Sequence, residues 1–120
     1  MRKLIEKWIL QLCHKESSTN DIVALNFGIF ETERGYSLYL IGSKQYDEHD
    51  DDWACYVDYE PTSKYLEITC DRITDWKSFM DEAMMIISDI IKTPSVSNSS
   101  LFSGKIITIG FDDGPLERIR

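Results

Sequence analysis

The sequence predicts a single α+β domain: a mostly antiparallel five-stranded sheet with two helices packed on it, in the order α-β-β-β-β-α-β. Three observations lead to this prediction. The chain has 120 residues, the size of one ordinary domain, and nothing in its composition divides it. Two segments place apolar residues at helical spacing, and five others have the alternation or the apolar composition of strands. Because amphipathic helices and half-apolar sheets each need a cover, the two are expected to pack together.

The first helix is predicted over about residues 2–16, where apolar side chains recur at helical spacing. Charged and polar side chains occupy the other side of this helix. The segment 17–21 then ends the helix with residues that favour turns. The apolar stripe consists of Leu4, Ile5, Trp8, Ile9, Leu12 and Cys13.

Four strands are predicted to follow, from the point where the apolar period changes to two. A short connection makes the first two an antiparallel hairpin. A turn containing Pro61 joins the other two. The four predicted strands are residues 22–30, 36–41, 53–59 and 65–70.

The second helix is predicted after Thr74 or Asp75, since either side chain can accept a hydrogen bond from an unpaired backbone N–H. A Thr-Pro pair at 93–94 ends it, because the residue before a proline avoids the helical conformation. A serine-rich loop leads to the isoleucine-rich run 105–111, the predicted fifth strand, and the turn 112–115 closes it. The stripe of this helix consists of Trp76, Phe79, Met80, Ala83, Ile87, Ile90 and Ile91.

Both helices and the sheet are expected to bury their apolar side chains in one shared core. If the first helix instead lay away from the sheet, its exposed stripe would indicate a dimer interface. The side chains expected in this core include Trp8, Ile9, Phe27, Leu38, Phe79, Ala83, Ile87 and Ile107.

The composition argues against several classes of protein. The formal charge is −8 at pH 7, which opposes direct binding to a nucleic-acid backbone. No apolar run reaches the roughly 18 residues of a membrane span, and the apolar stretch near Met1 is too interrupted for a signal peptide. The odd number of cysteines, Cys13, Cys55 and Cys70, indicates reduced thiols in the cytoplasm. Each is expected to be a small buried apolar residue.

The most unusual feature of the sequence is the charge of residues 43–60, which we name the acidic segment. It carries seven acidic side chains against one basic side chain, Lys44, and so holds −6 of the total −8. Four aromatic residues are interleaved with these charges. The densest part, 46–53, lies between two predicted strands and is expected on an exposed loop.

Three interpretations of the acidic segment are open: solvated charge on a connection, a cation site, or a docking surface for a basic protein. Calcium fits poorly, since the segment has no glycine and its carboxylates are consecutive. Docking is favoured, because clustered carboxylates speed the encounter with a positive protein and aromatic residues add contact area. Trp53 is also a candidate core residue, because it opens a predicted strand. The candidate partner-binding residues are Tyr46, Asp47, Glu48, Asp50, Asp51, Asp52, Trp53, Asp58 and Glu60.

No catalytic residue, metal site or cofactor is predicted. His14 directly follows Cys13, and adjacent helical residues point about 100° apart, so the two do not form a nucleophile and base by spacing alone. None of the common nucleotide-binding, hydrolase or zinc-protease motifs occurs. A hydrolase that uses paired carboxylates stays open, although no two aspartates are singled out for it. The sequence therefore favours a binding protein over an enzyme.

The segments 25–31 and 35–43, with residues 46–47 and 50–55, resemble a group of small bacterial immunity proteins encoded in toxin–immunity loci. These include the loci of contact-dependent growth inhibition. The resemblance implies a cytoplasmic binding protein that neutralises one toxin domain, often a basic nuclease, by blocking its active site or an exosite. It implies no chemistry of the protein's own. The alternative is a small accessory domain whose acidity serves only solubility.

Overall fold

The computed structural model describes residues 1–17, 21–70 and 75–120. Its regular elements follow the predicted order, apart from the acidic segment and the region after the second helix. The elements are α1 (Arg2–Lys15), β1 (Ala24–Thr32), β2 (Gly35–Ser43), a short 3-10 helix (Asp51–Cys55), β3 (Tyr65–Thr69), α2 (Trp76–Ile91), α3 (Pro94–Ser97), β4 (Ile106–Phe111) and β5 (Glu117–Arg118).

The five strands form one sheet in the order β3-β2-β1-β4-β5. Three of the neighbouring pairs are antiparallel, and β1 and β4 are parallel, with Gly28 opposite Gly110. A parallel pair needs a long crossover, and here the connection from β1 to β4 contains α2. The predicted α+β class, with a mostly antiparallel five-stranded sheet, is confirmed.

The prediction of a strand at 53–59 is wrong. This stretch begins inside the 3-10 helix, and its only pairing with the sheet in the described residues is an isolated bridge between Gly42 and Tyr59. The Asp50 side chain caps the 3-10 helix by accepting a hydrogen bond from the Asp52 backbone N–H at 2.9 Å. Such local side-chain bonds compete with strand pairing. The fifth strand is instead β5, a two-residue strand beyond the predicted turn at 112–115.

The two long helices have the predicted positions. Asp75 caps α2, and its side chain accepts a hydrogen bond from the Ser78 backbone N–H at 3.0 Å. Thr74, the other candidate cap, lies outside the described residues, as do residues 18–20 of the predicted turn after α1. The serine-rich loop contains one unpredicted turn of helix, α3, which begins at Pro94, a residue whose fixed φ suits the first helical position.

Both long helices pack on one face of the sheet and share a single core with it. All eight side chains expected in that core are buried, which confirms the prediction. Within this core the Phe27 ring contacts Trp8, edge-on at 5.9 Å, and Phe102, stacked at 6.1 Å. Within the described residues, no helix is both long enough and apolar enough to cross a membrane.

The opposite face of the sheet, which we name the second face, carries small and polar residues along its middle. Asn26 lies opposite Thr108 on the parallel pair, and Gly28 lies opposite Gly110. The Thr108 hydroxyl donates a hydrogen bond to Asn26 Oδ1 at 2.8 Å, and both residues are buried. The 3-10 helix of the acidic segment lies beside this face, and residues of both line one cavity.

Candidate functional site

The acidic segment has a defined conformation, because several of its carboxylates bind backbone N–H groups. Asp47 accepts a hydrogen bond from the His49 N–H at 2.9 Å, and Asp58 accepts one from the Lys44 N–H at 2.8 Å. Asp51 Oδ2 accepts a hydrogen bond from the Leu116 N–H, 65 positions away, at 3.1 Å. These bonds fix the shape of the segment and attach its centre to the chain between β4 and β5.

Trp53 is the apolar anchor of the acidic segment. Only 4% of its surface is exposed, and its ring meets Tyr46 edge-on at 5.3 Å. The Arg118 guanidinium of β5 lies over the Tyr46 ring, 5.7 Å from its centre. Trp53 is therefore a core residue and offers almost no surface to a partner, whereas Tyr46 is half-buried.

The seven carboxylates predicted to bind a partner are all on exposed residues. Two have salt-bridge partners in the described structure: Glu60 lies 2.8 Å from Lys64, and Glu48 lies 3.3 Å from His49. Exposed pairs of this kind contribute at most about 1 kcal/mol, so they do not remove these charges from the surface. The structure groups Asp50, Asp51 and Asp52 at the start of the 3-10 helix, while Asp58 and Glu60 lie on the extended stretch that follows.

A cavity of about 250 Å³ lies between the 3-10 helix and the second face. It brings together three carboxylates, of Asp51, Asp52 and Asp112, although Asp112 is 60 residues further along the chain. The sequence predicts only a turn at 112–115, with no role in a site. The missing information was the parallel pairing of β1 with β4, which places that turn beside the acidic segment. We name this cavity the acidic cleft.

Tyr39 forms one wall of the acidic cleft. Its ring lies across Gly28, where a Cβ atom would overlap the phenol ring, so only glycine accommodates this arrangement. The phenol donates a hydrogen bond to the Asp112 carboxylate. Burial, and then this bond to Asp112, raise the pKa of Tyr39 well above its ordinary value of 10. Tyr39 thus remains a neutral donor at physiological pH.

All three cysteines are less buried than expected, and Cys55 differs most from the prediction. Cys55 is exposed at the rim of the acidic cleft, so its predicted burial is wrong. The reason is the same as for the missing strand. Cys55 lies in the 3-10 helix and points outward, whereas in a strand it would have shared the inward face with Trp53. Cys13 and Cys70 are half-buried, and burial raises the pKa of the Cys13 thiol. All three thiols are free.

Among residues 1–17, 21–70 and 75–120, no three His, Cys, Asp or Glu side chains are arranged to hold a metal ion. Two carboxylates of the acidic cleft are already engaged, Asp51 with Leu116 and Asp112 with Tyr39. A cation would have to share these carboxylates with their hydrogen-bond donors.

We therefore expect the melting midpoint to be the same in EDTA and in added calcium. A cation present at 100 times its Kd would stabilise the fold by about 2.7 kcal/mol, which is several degrees in a domain of this size. Thermal unfolding followed by circular dichroism makes the comparison. A clear rise with calcium would assign the acidic segment to ion binding.

Comparison with known proteins finds no match to this chain among family models, curated proteins or solved structures. The proposal for its function therefore rests on the arrangement of charge, aromatic surface and hydrogen bonds described above.

Proposed function

We propose that this protein is an immunity-type binding protein that neutralises a toxin domain, foremost a basic nuclease, by docking its acidic segment on that domain. The observation that carries the proposal is an exposed acidic segment with a fixed shape. Its carboxylates remain on the surface while Trp53 and the Asp51–Leu116 hydrogen bond hold its backbone. A surface that is already ordered loses little conformational entropy when it binds.

Charge supports a basic partner. The acidic segment holds −6 of the net −8, and the turn between β4 and β5 adds Asp112 and Asp113 beside it. Clustered carboxylates raise the rate of encounter with a positive protein and orient it during approach. They also disfavour acidic partners, since like charges brought together cost several kcal/mol.

A nuclease is the class of toxin whose active surface such a protein would fit. Nucleases bind a phosphate backbone, and that binding depends on lysine and arginine side chains. An acidic surface placed over those side chains would exclude the nucleic acid without any chemistry of its own. An immunity protein of this kind acts where the toxin acts, which for a nuclease is the cytoplasm.

One observation favours a second candidate, an accessory domain whose charges serve folding and solubility. Asp47, Asp50, Asp51 and Asp58 each accept a hydrogen bond from a backbone N–H, which is a structural use of a carboxylate. This use does not require the charge, because a neutral asparagine oxygen can accept the same bond. The concentration of charge is therefore better explained by a partner.

The experiment is to search the neighbouring open reading frame for a basic toxin-like domain and to mix that domain with this protein. We expect a stoichiometric complex, loss of nuclease activity in the complex, and protection of cells that express the toxin domain. A domain that remains fully active in the presence of excess protein would contradict the proposal. So would a neighbouring gene that encodes no basic domain at all.

A further inference from the structure

Trp76, the first residue of α2, is 59% exposed, whereas Trp8 and Trp53 are each 4% exposed. The apolar stripe predicted from the sequence placed Trp76 among the buried residues of the helix, and that placement is wrong. At the first turn of α2 the indole instead lies against Phe111 of β4, with ring centres 5.8 Å apart and planes at 85°. A large exposed aromatic of this kind marks a candidate contact with another molecule.

The indole of Trp76 borders a hollow of about 700 Å³, which we name the Trp76 hollow. Its apolar wall is formed by Trp76, Phe111, Phe30 and Pro115. A second hollow of about 370 Å³ lies along α2, and it shares Trp76, Phe111 and Pro115 with the first. Aromatic and proline side chains thus provide a continuous apolar surface at this end of the molecule.

The rim of the Trp76 hollow is acidic. Among residues 1–17, 21–70 and 75–120, three carboxylates line it, of Glu31, Asp112 and Asp113, and no lysine or arginine does. Asp112 accepts a hydrogen bond from the Tyr39 hydroxyl. In the described part of the chain, the Glu31 and Asp113 side chains form no ion pair or hydrogen bond with another side chain. Apolar walls with carboxylates at the rim are complementary to a side chain with a long apolar stem that ends in a cation.

We infer that the Trp76 hollow binds an arginine side chain of the partner protein. Its guanidinium is planar and stacks on an indole, while its N–H groups match a carboxylate in a fork. In this site the guanidinium would stack on Trp76 and pair with Asp113, and its methylene stem would cover Phe111. Lysine would pair with the carboxylate but would not stack in the same way.

This inference rests on the proposed function, because it places one contact of the same basic partner. The Trp76 hollow and the acidic cleft both include Phe111, Asp112 and Gly114. The turn between β4 and β5 therefore joins them into one surface that a single partner can cover. Tryptophan and arginine are the residues that most often dominate interface energies, whereas exposed rim carboxylates mainly affect the rate of encounter.

The first test uses tri-arginine and tri-lysine peptides, acetylated and amidated, at low salt. We expect the arginine peptide to shift the indole N–H signal of Trp76 in NMR spectra and to leave those of buried Trp8 and Trp53 in place. Trp76→Ala is expected to weaken binding of this peptide about tenfold. Asp113→Asn keeps the indole and is expected to weaken binding of the arginine peptide severalfold. Met85→Ala, which truncates another exposed apolar residue of α2, is the matched control and should bind like the parent.

The inference is overturned if Trp76→Ala binds the arginine peptide as well as the parent, or if the lysine peptide binds equally well and shifts the same signal. A second measurement, binding of the basic toxin-like domain, distinguishes a failure of the arginine site from a failure of the proposed function. If that domain binds with an affinity independent of Trp76, the proposed function stands and the arginine site is wrong. If the arginine peptide binds through Trp76 but no basic domain is neutralised, the proposed function fails and the arginine site stands.

Discussion

Replacing Trp53 with alanine is expected to lower the free energy of unfolding by about 3–5 kcal/mol. The side chain is 4% exposed, and its ring lies edge-on to that of Tyr46. Truncating it removes a large buried apolar surface and leaves a cavity. Urea denaturation of the parent and the variant measures this difference.

Trp76→Ala is the matched control, because it truncates the same type of residue at a position that is 59% exposed. It is expected to change stability by only about 0.5 kcal/mol, the usual range for a surface substitution. Equal stability of Trp53→Ala and the parent would contradict the role of Trp53 as the anchor of the acidic segment.

Changing Asp50, Asp51 and Asp52 together to asparagine is expected to slow association with the basic toxin-like domain about tenfold at low salt. Asparagine retains a side-chain oxygen, so the bonds from Asp50 to the Asp52 N–H and from Asp51 to the Leu116 N–H can persist. The change removes three charges and takes the net charge from −8 to −5. Since all three residues are exposed, the dissociation rate should change little.

Stopped-flow mixing measures the association rate. The control variant removes three carboxylates from the exposed helix surface instead: Glu6→Gln, Glu82→Gln and Asp89→Asn. Of these, Asp89 pairs with Arg2, and both side chains are about half exposed, so the loss of that pair costs little. An equal fall in rate for both variants would mean that only the net charge matters. A rise in the dissociation rate worth roughly 2–5 kcal/mol would instead indicate a carboxylate that is desolvated against the partner.

The sequence was sufficient to predict the long helices, the hairpin and the shared core. Their signals are periodic over many residues, and burial of Phe27 or Ile87 follows directly from that period. The stretch 53–59 was mispredicted because its composition suits a strand, whereas its conformation is decided by the Asp50 cap at one end. The two residues of β5 and the four of α3 are too short to give any periodic signal.

The candidate site was predictable only in part. The acidic segment is contiguous in sequence, so its charge was evident. Asp112 lies beside Asp51 because β1 pairs with β4, and these strands are far apart in the chain. The exposure of Trp76 was missed because helical periodicity gives the direction of a side chain but not where the covering sheet ends.

The dependence of the association rate on salt tests the docking of the acidic segment most directly. Screening shortens the reach of surface charges to about 8 Å at 0.15 M salt, so steering by the acidic segment should weaken as salt is added. We expect the association rate with the basic toxin-like domain to fall steeply as salt rises, and the variant with asparagine at 50, 51 and 52 to give a flatter dependence. If that variant binds and protects as well as the parent at every salt concentration, the acidic segment is solvated surface and does not dock the partner.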